Sequence, residues 1–152
     1  MKRLLEYMSE DRIILNLKSK EKEEVFEEMA PLFVADNIID AEELEEYIEG
    51  LKEREKLTAT GMQDGIAIPH ARTPFVKKLS LALGISNKGV DFESMDGEPS
   101  KLIFMIAAPE ETKKEHLDLL AEISKLTYEE ELIEQMENVD TIEEIFEKLK
   151  NI

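Results

Sequence analysis

The chain contains 152 residues, of which 42% are hydrophobic, and it has a formal net charge of −17 and no cysteine. This length predicts one globular domain, residues 1–152, with a core large enough to fold without disulfides. The lack of cysteine excludes disulfide frameworks, thiolate metal sites and cysteine nucleophiles. The negative charge argues against nucleic acid as a partner, because nucleic-acid binding depends on basic residues that neutralise phosphates.

The N-terminal residues lack the apolar stretch of a signal peptide, and no segment reaches the length of a membrane span. We therefore expect a cytoplasmic protein without direct membrane insertion. The charge is unevenly distributed: residues 65–90, here called the acid-free segment, contain no Asp or Glu and four cations, Arg72, Lys77, Lys78 and Lys88. Such a segment fits either an anion-binding region or buried strands from which carboxylates are excluded.

The first third of the chain predicts one short strand and two helices. Residues 12–17 are mostly apolar and predict the strand. Pro31 should end or kink the first helix, because proline cannot donate the helical hydrogen bond. Asp40 and Glu43 form a capping-box pair, which predicts a second helix that runs to about Arg54.

The middle of the chain changes to strand-like patterns. Residues 66–68 predict a short strand that Pro69 ends. Apolar residues alternate with small ones over 79–85, as expected for a strand covered on both faces by other elements. Residues 102–107 form a nearly continuous apolar run and predict a central strand.

Three helices are predicted at the end of the chain, each opened by an N-cap residue with an acidic residue three positions later. These pairs are Thr112 with Glu115, Thr127 with Glu130, and Asp140 with Glu143. Together, the elements predict an α/β fold, a single domain in which helices flank a mixed β-sheet on both faces.

The chain has only two histidines, and the first follows a predicted strand. Pro69 has a fixed φ and favours an extended residue before it, so the backbone that presents His70 is stiff. A nucleophile must be held at a defined angle to its target, and this position meets that need. An isolated Pro-His pair also fits a histidine that only caps a loop.

The second histidine lies in the first turn of a predicted helix. The helix N-terminus offers partial positive charge and free amide donors, which favour anions and a neutral imidazole. A neutral His116 could therefore donate an N–H to a phosphate oxygen. The alternative is a core histidine, because Leu119, Leu120 and Ile123 share its helix face.

The run REKLTATGMQDGIAIPH, residues 54–70, resembles the active-site signature of a known family. This family is the fructose/mannitol-type IIA domain of the bacterial phosphoenolpyruvate-dependent sugar phosphotransferase system, which includes nitrogen-regulatory relatives. Motifs further along the chain match the family in the same order: GV at 89–90, DGEP at 96–99, the strand at 102–107 and HLDLLA at 116–121. The resemblance therefore covers essentially the whole chain. Gln63 stands where the family usually has a glycine.

The resemblance implies a phosphotransferase that carries a phosphoryl group on a histidine. An HPr-like phosphohistidine protein would donate the group to His70, and a IIB-type sugar-transport component would accept it. His116 and Arg54 match residues that stabilise the phosphoryl group, and no cofactor is implied. From the residues alone, Arg54 equally fits a cation that neutralises a helix C-terminus.

Other functions remain open at this point. A regulatory protein of the same family would control a target protein by direct binding according to its phosphorylation state. A metal site with two histidines has little support, because no third ligand lies near His70 in the sequence. We also expect an apolar docking surface around His70, with Phe75 and Val76 as candidates.

Overall fold

The computed structural model describes residues 2–151. The helices are α1 (Lys2–Glu6), α2 (Lys22–Met29), α3 (Pro31–Ala35), α4 (Leu44–Leu57), α5 (Lys113–Lys125), α6 (Glu130–Glu137) and α7 (Ile142–Lys150). The strands are β1 (Ile13–Ile14), β2 (Ile66–Ala67), β3 (His70–Thr73), β4 (Ser80–Val90) and β5 (Ser100–Pro109). Among the residues described, no helix is both long enough and apolar enough to span a membrane.

The five strands form one mixed sheet in the order β1-β4-β5-β2, and β3 also pairs with β5. Strands β4 and β5 are antiparallel, whereas β2 and β3 run parallel to β5. β2 lies beside the start of β5 and β3 beside its end, with His70 opposite Ile106. These two short strands therefore form one broken edge of the sheet, and Pro69 marks the break.

Helices cover both faces of the sheet, as the sequence predicted. On one face, side chains of β4 and β5 pack against α5, α6 and α7, with Phe104, Leu119 and Ile145 fully buried. On the other face, α2, α3 and α4 bury Phe26, Phe33 and Tyr47 against the same two strands. The alternation along β5, where Phe104 and Met105 belong to different cores, follows from the two-residue period of a strand.

Several predicted boundaries differ from the observed ones. The strand predicted at 12–17 is reduced to two residues, although Leu17 N still donates to Ile85 O at 2.8 Å. Asp40 does not cap α4; its carboxylate instead accepts a hydrogen bond from Lys77 Nζ at 2.7 Å. The first helix is divided at Pro31, as predicted, because Pro31 occupies the first turn of α3.

The predicted caps at the end of the chain were wrong in detail. The Thr112 hydroxyl donates to the Pro109 carbonyl instead of capping α5. The Thr127 hydroxyl donates to the Ser124 carbonyl, and α6 begins at Glu130 without a side-chain cap. The cap of α7 is Thr141, one residue after the predicted Asp140, and its hydroxyl accepts from Glu144 N.

The loop before β2 folds back on the strand as a narrow hairpin. Met62 N donates to Ile66 O at 2.7 Å, and Ile68 N donates to Thr60 O at 3.0 Å. Only glycine fits at position 61, since a Cβ there would lie 2.6 Å from Phe92 O. The left-handed residues of the turn are Asp64 and Gly65, with φ of 58° and 79°. Gln63 does not need positive φ, so the turn forms without the glycine that is usual there.

Candidate functional site

His70 lies at the exposed edge of the sheet, in the first position of β3. The strand is held on β5 by parallel pairing, and Ile106 N donates to Pro69 O at 3.0 Å. From the other side, the buried Tyr47 hydroxyl of α4 donates to Ile106 O at 2.7 Å. Backbone and core contacts therefore fix the start of β3, and the half-buried His70 side chain faces a cleft.

The hydrogen bond of His70 defines which of its ring nitrogens carries the hydrogen. Nδ1 lies 2.8 Å from the Ile68 carbonyl oxygen. A carbonyl can only accept, so Nδ1 must carry the hydrogen in this contact. In the neutral ring, Nε2 then has a free lone pair and is the nucleophilic atom.

His116 lies beside His70, although 46 residues separate them in the sequence. β5 ends next to β3 and α5 begins four residues later, so the first turn of α5 returns to the start of β3. The two rings are 5.1 Å apart between centroids and meet edge to face at 79°. His116 is only 2% exposed, and its Nε2 is buried without a hydrogen-bond partner among residues 2–151.

Arg54 reaches the same cleft from the last turn of α4. One guanidinium nitrogen donates to the Thr58 carbonyl at 2.8 Å, and the other N–H groups remain available to a ligand. The three residues that the sequence placed in the site thus come from three elements, β3, α5 and α4. Helices α4 and α5 pack on opposite faces of the sheet, and residues of both line the cleft at its edge.

The cleft has a volume of about 700 Å³ and is open to solvent. Its lining consists of Gly50, Glu53, Arg54, Leu57, His70, Ala71, Arg72, His116, Leu117 and Leu120. Arg54 and Arg72 against the single carboxylate of Glu53 give it a cationic character within a strongly acidic protein. Such a cleft suits an anion of phosphoryl size.

Burial and neighbouring cations keep both histidines neutral. Burial, followed by the charges of His70, Arg72 and Arg54, lowers the pKa of His116 from 6.5 to about 4. Burial also lowers the pKa of His70, as do Arg54 and Arg72, while its hydrogen bond to the Ile68 carbonyl opposes the shift. At neutral pH, both rings are therefore uncharged, which preserves a lone pair for nucleophilic attack.

The acid-free segment contributes less to the site than its charge suggested. Within residues 2–151, Arg72 is the cation of this segment that lines the cleft. Lys77 pairs with Asp40, and Lys88 lies at the far end of β4. Most of the segment consists of the strands β2, β3 and β4, and residues 80–86 of β4 are all buried. The exclusion of carboxylates from buried strands thus explains why most of the segment lacks acidic residues. Arg72 is the cation through which the segment contributes to the cleft.

Sequence reasoning missed a buried carboxylate behind the site. Glu55 is 8% exposed and accepts hydrogen bonds from Thr60 N at 2.8 Å and Thr60 Oγ1 at 2.6 Å. Lys22 Nζ lies 3.2 Å from the same carboxylate. Thr60 O in turn accepts a hydrogen bond from Ile68 N, and the Ile68 carbonyl orients His70. The cluster around Glu55 therefore supports the position of Ile68. The burial of Glu55 could not be predicted from the sequence, because Glu55 is one of many charged residues in its helix.

The predicted docking residues were wrong in part. Val76 is 3% exposed and belongs to the core, and Phe75 packs against that core half-buried. Leu57 and Leu117 line the cleft instead and are 80% and 54% exposed. They come from α4 and α5, so the apolar rim of the cleft is formed by helices and not by the β3–β4 connection.

Comparison with known proteins identifies relatives along nearly the whole chain. A 41% identical match covers 88% of this chain in the fructose-specific EIIABC component of the phosphotransferase system of Bacillus subtilis. The chain spans only 21% of the length of that relative. The nitrogen regulatory protein of Pseudomonas aeruginosa is 32% identical over 97% of this chain and 94% of its own length.

Solved structures share the fold. The nitrogen regulatory protein IIA-Ntr of Neisseria meningitidis superposes with a TM-score of 0.85 at 30% identity, over 95% of this chain and 97% of the other. The mannitol enzyme IIA of Escherichia coli, solved in complex with phosphorylated mannitol enzyme IIB, gives a TM-score of 0.78 at 25% identity, over 93% and 96% of the two chains.

The model of one protein family matches residues 6–152. Its match includes α4, β3 and α5, which contribute Arg54, His70 and His116 to the cleft. The chain therefore belongs to the family described as EIIA 2 of the phosphoenolpyruvate-dependent sugar phosphotransferase system.

Proposed function

We propose that this protein is a phosphotransferase that carries a phosphoryl group on His70 Nε2 in the cytoplasm. An HPr-like phosphohistidine protein donates the group, and a IIB-type sugar-transport component accepts it. The observation that carries the proposal is the contact of His70 Nδ1 with the Ile68 carbonyl. It leaves Nε2 as the free nucleophile in a cationic cleft.

The transfer itself is a simple exchange of bonds. The lone pair of His70 Nε2 attacks the phosphorus of the donor's phosphohistidine, and a new N–P bond forms. The N–P bond of the donor breaks, and its electron pair returns to the donor's imidazole. Nδ1 of His70 keeps its hydrogen throughout, because the Ile68 carbonyl continues to accept it. The second transfer repeats these steps with a nucleophile of the acceptor attacking the same phosphorus.

Positioning and charge supply most of the rate in phosphoryl transfer. Under this proposal, Arg54 and the buried ring of His116 stabilise the oxygens of the phosphoryl group on His70. The guanidinium of Arg54 presents planar donors that match two oxygens. His116 supplies an N–H from a site shielded from water, where a hydrogen bond to a charged oxygen is stronger than in solvent.

Partner access also supports the proposal. His70 is half-buried at an open cleft, and the exposed Leu57 and Leu117 form an apolar rim from two helices. A partner that covers this rim would remove water from the transferring group. The mannitol enzyme IIA of E. coli has this fold and was solved in complex with phosphorylated enzyme IIB, which supports a IIB-type partner for this chain.

A regulatory function is the second candidate, and a specific similarity favours it. The P. aeruginosa and N. meningitidis relatives are nitrogen regulatory proteins that match nearly this whole chain. In such a role, His70 would be phosphorylated in the same way, and the phosphorylation state would change the affinity for a target protein. The two candidates differ in the step after phosphorylation, since only the carrier passes its phosphoryl group to IIB.

The test uses ³²P-labelled HPr-like donor, unlabelled protein and a IIB acceptor in sequence. We expect one phosphoryl group on His70, located by mass spectrometry at alkaline pH, and subsequent loss of label to IIB. His70→Ala should accept no label while it keeps the circular dichroism spectrum of the wild type. Undiminished labelling of His70→Ala would refute the site, and a stable label in the presence of several IIB acceptors would favour regulation.

A further inference from the structure

Arg72 makes a contact in the site that the proposed roles leave unexplained. It lies two residues after His70 on β3, so its side chain starts on the same side of the strand as His70. One of its guanidinium nitrogens lies 3.2 Å from His116 Nδ1. This contact joins the strand that carries His70 to the helix that carries His116.

The chemistry of the two groups determines the direction of this hydrogen bond. Arginine has five N–H donors and no acceptor, and it stays protonated in proteins. His116 Nδ1 must therefore be the acceptor and carry no hydrogen. In the neutral ring, the hydrogen is then on Nε2, which is the buried nitrogen without a partner among residues 2–151.

We propose that Arg72 is a positioning residue that fixes the tautomer of His116, so that its Nε2–H is available to a phosphoryl oxygen on His70. This inference rests on the proposed function, since the phosphoryl group is the acceptor that Nε2–H lacks. The structure thus contains two adjacent histidines in opposite tautomers. His70 offers a lone pair at Nε2, and His116 offers a hydrogen at Nε2.

The positive charge of Arg72 has a second effect on His116. Arg72 on β3 and Arg54 on α4 both lower the pKa of His116, in addition to burial and His70. Protonation of His116 would place a hydrogen on Nδ1 and break its contact with the guanidinium. Arg72 therefore opposes protonation, and the same contact selects the tautomer of the neutral ring.

The experiment measures the tautomers directly in the unphosphorylated protein. Two-bond ¹H–¹⁵N correlation spectra of ¹⁵N-histidine-labelled protein distinguish Nδ1–H from Nε2–H for each ring. The test variant is Arg72→Met, which removes the donor and the charge but keeps an unbranched side chain. The matched control is Lys88→Met, which removes one cation of the acid-free segment near the Val90–Ser100 end of the β4–β5 pair, far from Ile106.

We expect wild type and Lys88→Met to show Nδ1–H for His70 and Nε2–H for His116. In Arg72→Met, the spectrum of His116 should gain the Nδ1–H form and its pKa should rise, while His70 keeps Nδ1–H. Transfer from phosphorylated His70 to the acceptor should slow by about tenfold, as is typical for the loss of a group that orients a functional histidine. Arg72→Lys, which retains a donor and a charge, should recover part of both changes.

Two results would overturn the inference. One is an unchanged His116 tautomer in Arg72→Met, even if transfer slows, because Arg72 would then act directly on the phosphoryl oxygens. The other is a changed tautomer with a wild-type transfer rate. The proposed function fails by a different observation, the absence of label on His70 of the wild type, and this leaves the tautomer measurement intact.

Discussion

The two histidines of the cleft are held in different ways. His70 is fixed by local structure, since its ring binds the carbonyl two residues earlier on a strand end stiffened by Pro69. The ring of His116 is bound by Arg72, which is 44 residues away in the sequence. The orientation of His70, the proposed nucleophile, therefore depends on a short segment, whereas the orientation of His116 depends on the assembled fold.

The two histidines also differ in their exposure to solvent. His70 is half-buried at the mouth of the cleft, where a nucleophile on another protein can reach it. His116 is 2% exposed, so the donor role proposed for it would be exercised where water does not compete. A carrier needs both conditions, because the phosphoryl group must be accessible for transfer and stabilised while the bonds exchange.

The largest effect on transfer is expected from removing His116, the proposed N–H donor on α5. We expect His116→Ala still to accept phosphate, but to transfer it on the order of 10²-fold more slowly, as for the loss of one oxyanion donor. His116→Gln should recover part of the rate, because its amide nitrogen can occupy a position similar to Nε2. Rapid-quench transfer to a IIB acceptor measures both. Equal rates for wild type and His116→Ala would return His116 to a purely structural role.

The sequence predicted the fold well where one periodicity dominates. Residues 102–107 were predicted as a strand because apolar residues fill both faces, and β5 packs on two cores. The capping pairs were less reliable. Asp40 binds Lys77 and Thr112 binds the Pro109 carbonyl, so tertiary and local acceptors competed successfully with the predicted caps.

The sequence predicted three residues of the candidate site but not the contacts that orient them. His70 could be found because GIAIPH has a characteristic pattern, and His116 and Arg54 because of the family resemblance. The contact of Arg72 with His116 depends on the pairing of β3 with β5, which no short-range pattern encodes. Burial of Glu55 likewise depends on how Lys22 of α2 approaches α4.

A second prediction concerns the cost of burying a neutral His116. The unfolded chain binds a proton at this residue near pH 6.5, whereas the folded protein binds it only near pH 4. Below pH 6.5 the unfolded state thus holds more protons, so the free energy of unfolding falls as pH decreases toward 4. The loss assigned to His116 should be on the order of 2 kcal/mol at pH 5.

Urea denaturation of wild type and His116→Gln between pH 7.5 and 5 measures this difference. The carboxylates of the two proteins are the same, so their contributions cancel in the comparison. We expect the stability of His116→Gln to decline less over this range. Parallel declines would mean that His116 titrates alike in the folded and unfolded states, and the contrast between a buried and an accessible histidine would lose its energetic basis.

The smallest predicted effect separates two roles of Arg54. Its guanidinium lines the cleft, but it also binds the Thr58 carbonyl at the C-terminus of α4, where any cation interacts favourably with the helix dipole. Lys56 is the matched control, because it lies in the same last turn without lining the cleft. We expect Arg54→Ala to slow transfer on the order of tenfold, about 1.4 kcal/mol in the barrier. This is less than for His116→Ala, because water screens the partly exposed guanidinium.

Lys56→Ala should leave the transfer rate unchanged, and each variant should lose at most about 1 kcal/mol of stability in urea. If the two variants lose the same stability and transfer at the same rate, Arg54 serves the helix, and stabilisation of the phosphoryl oxygens is left to His116, which Arg72 positions.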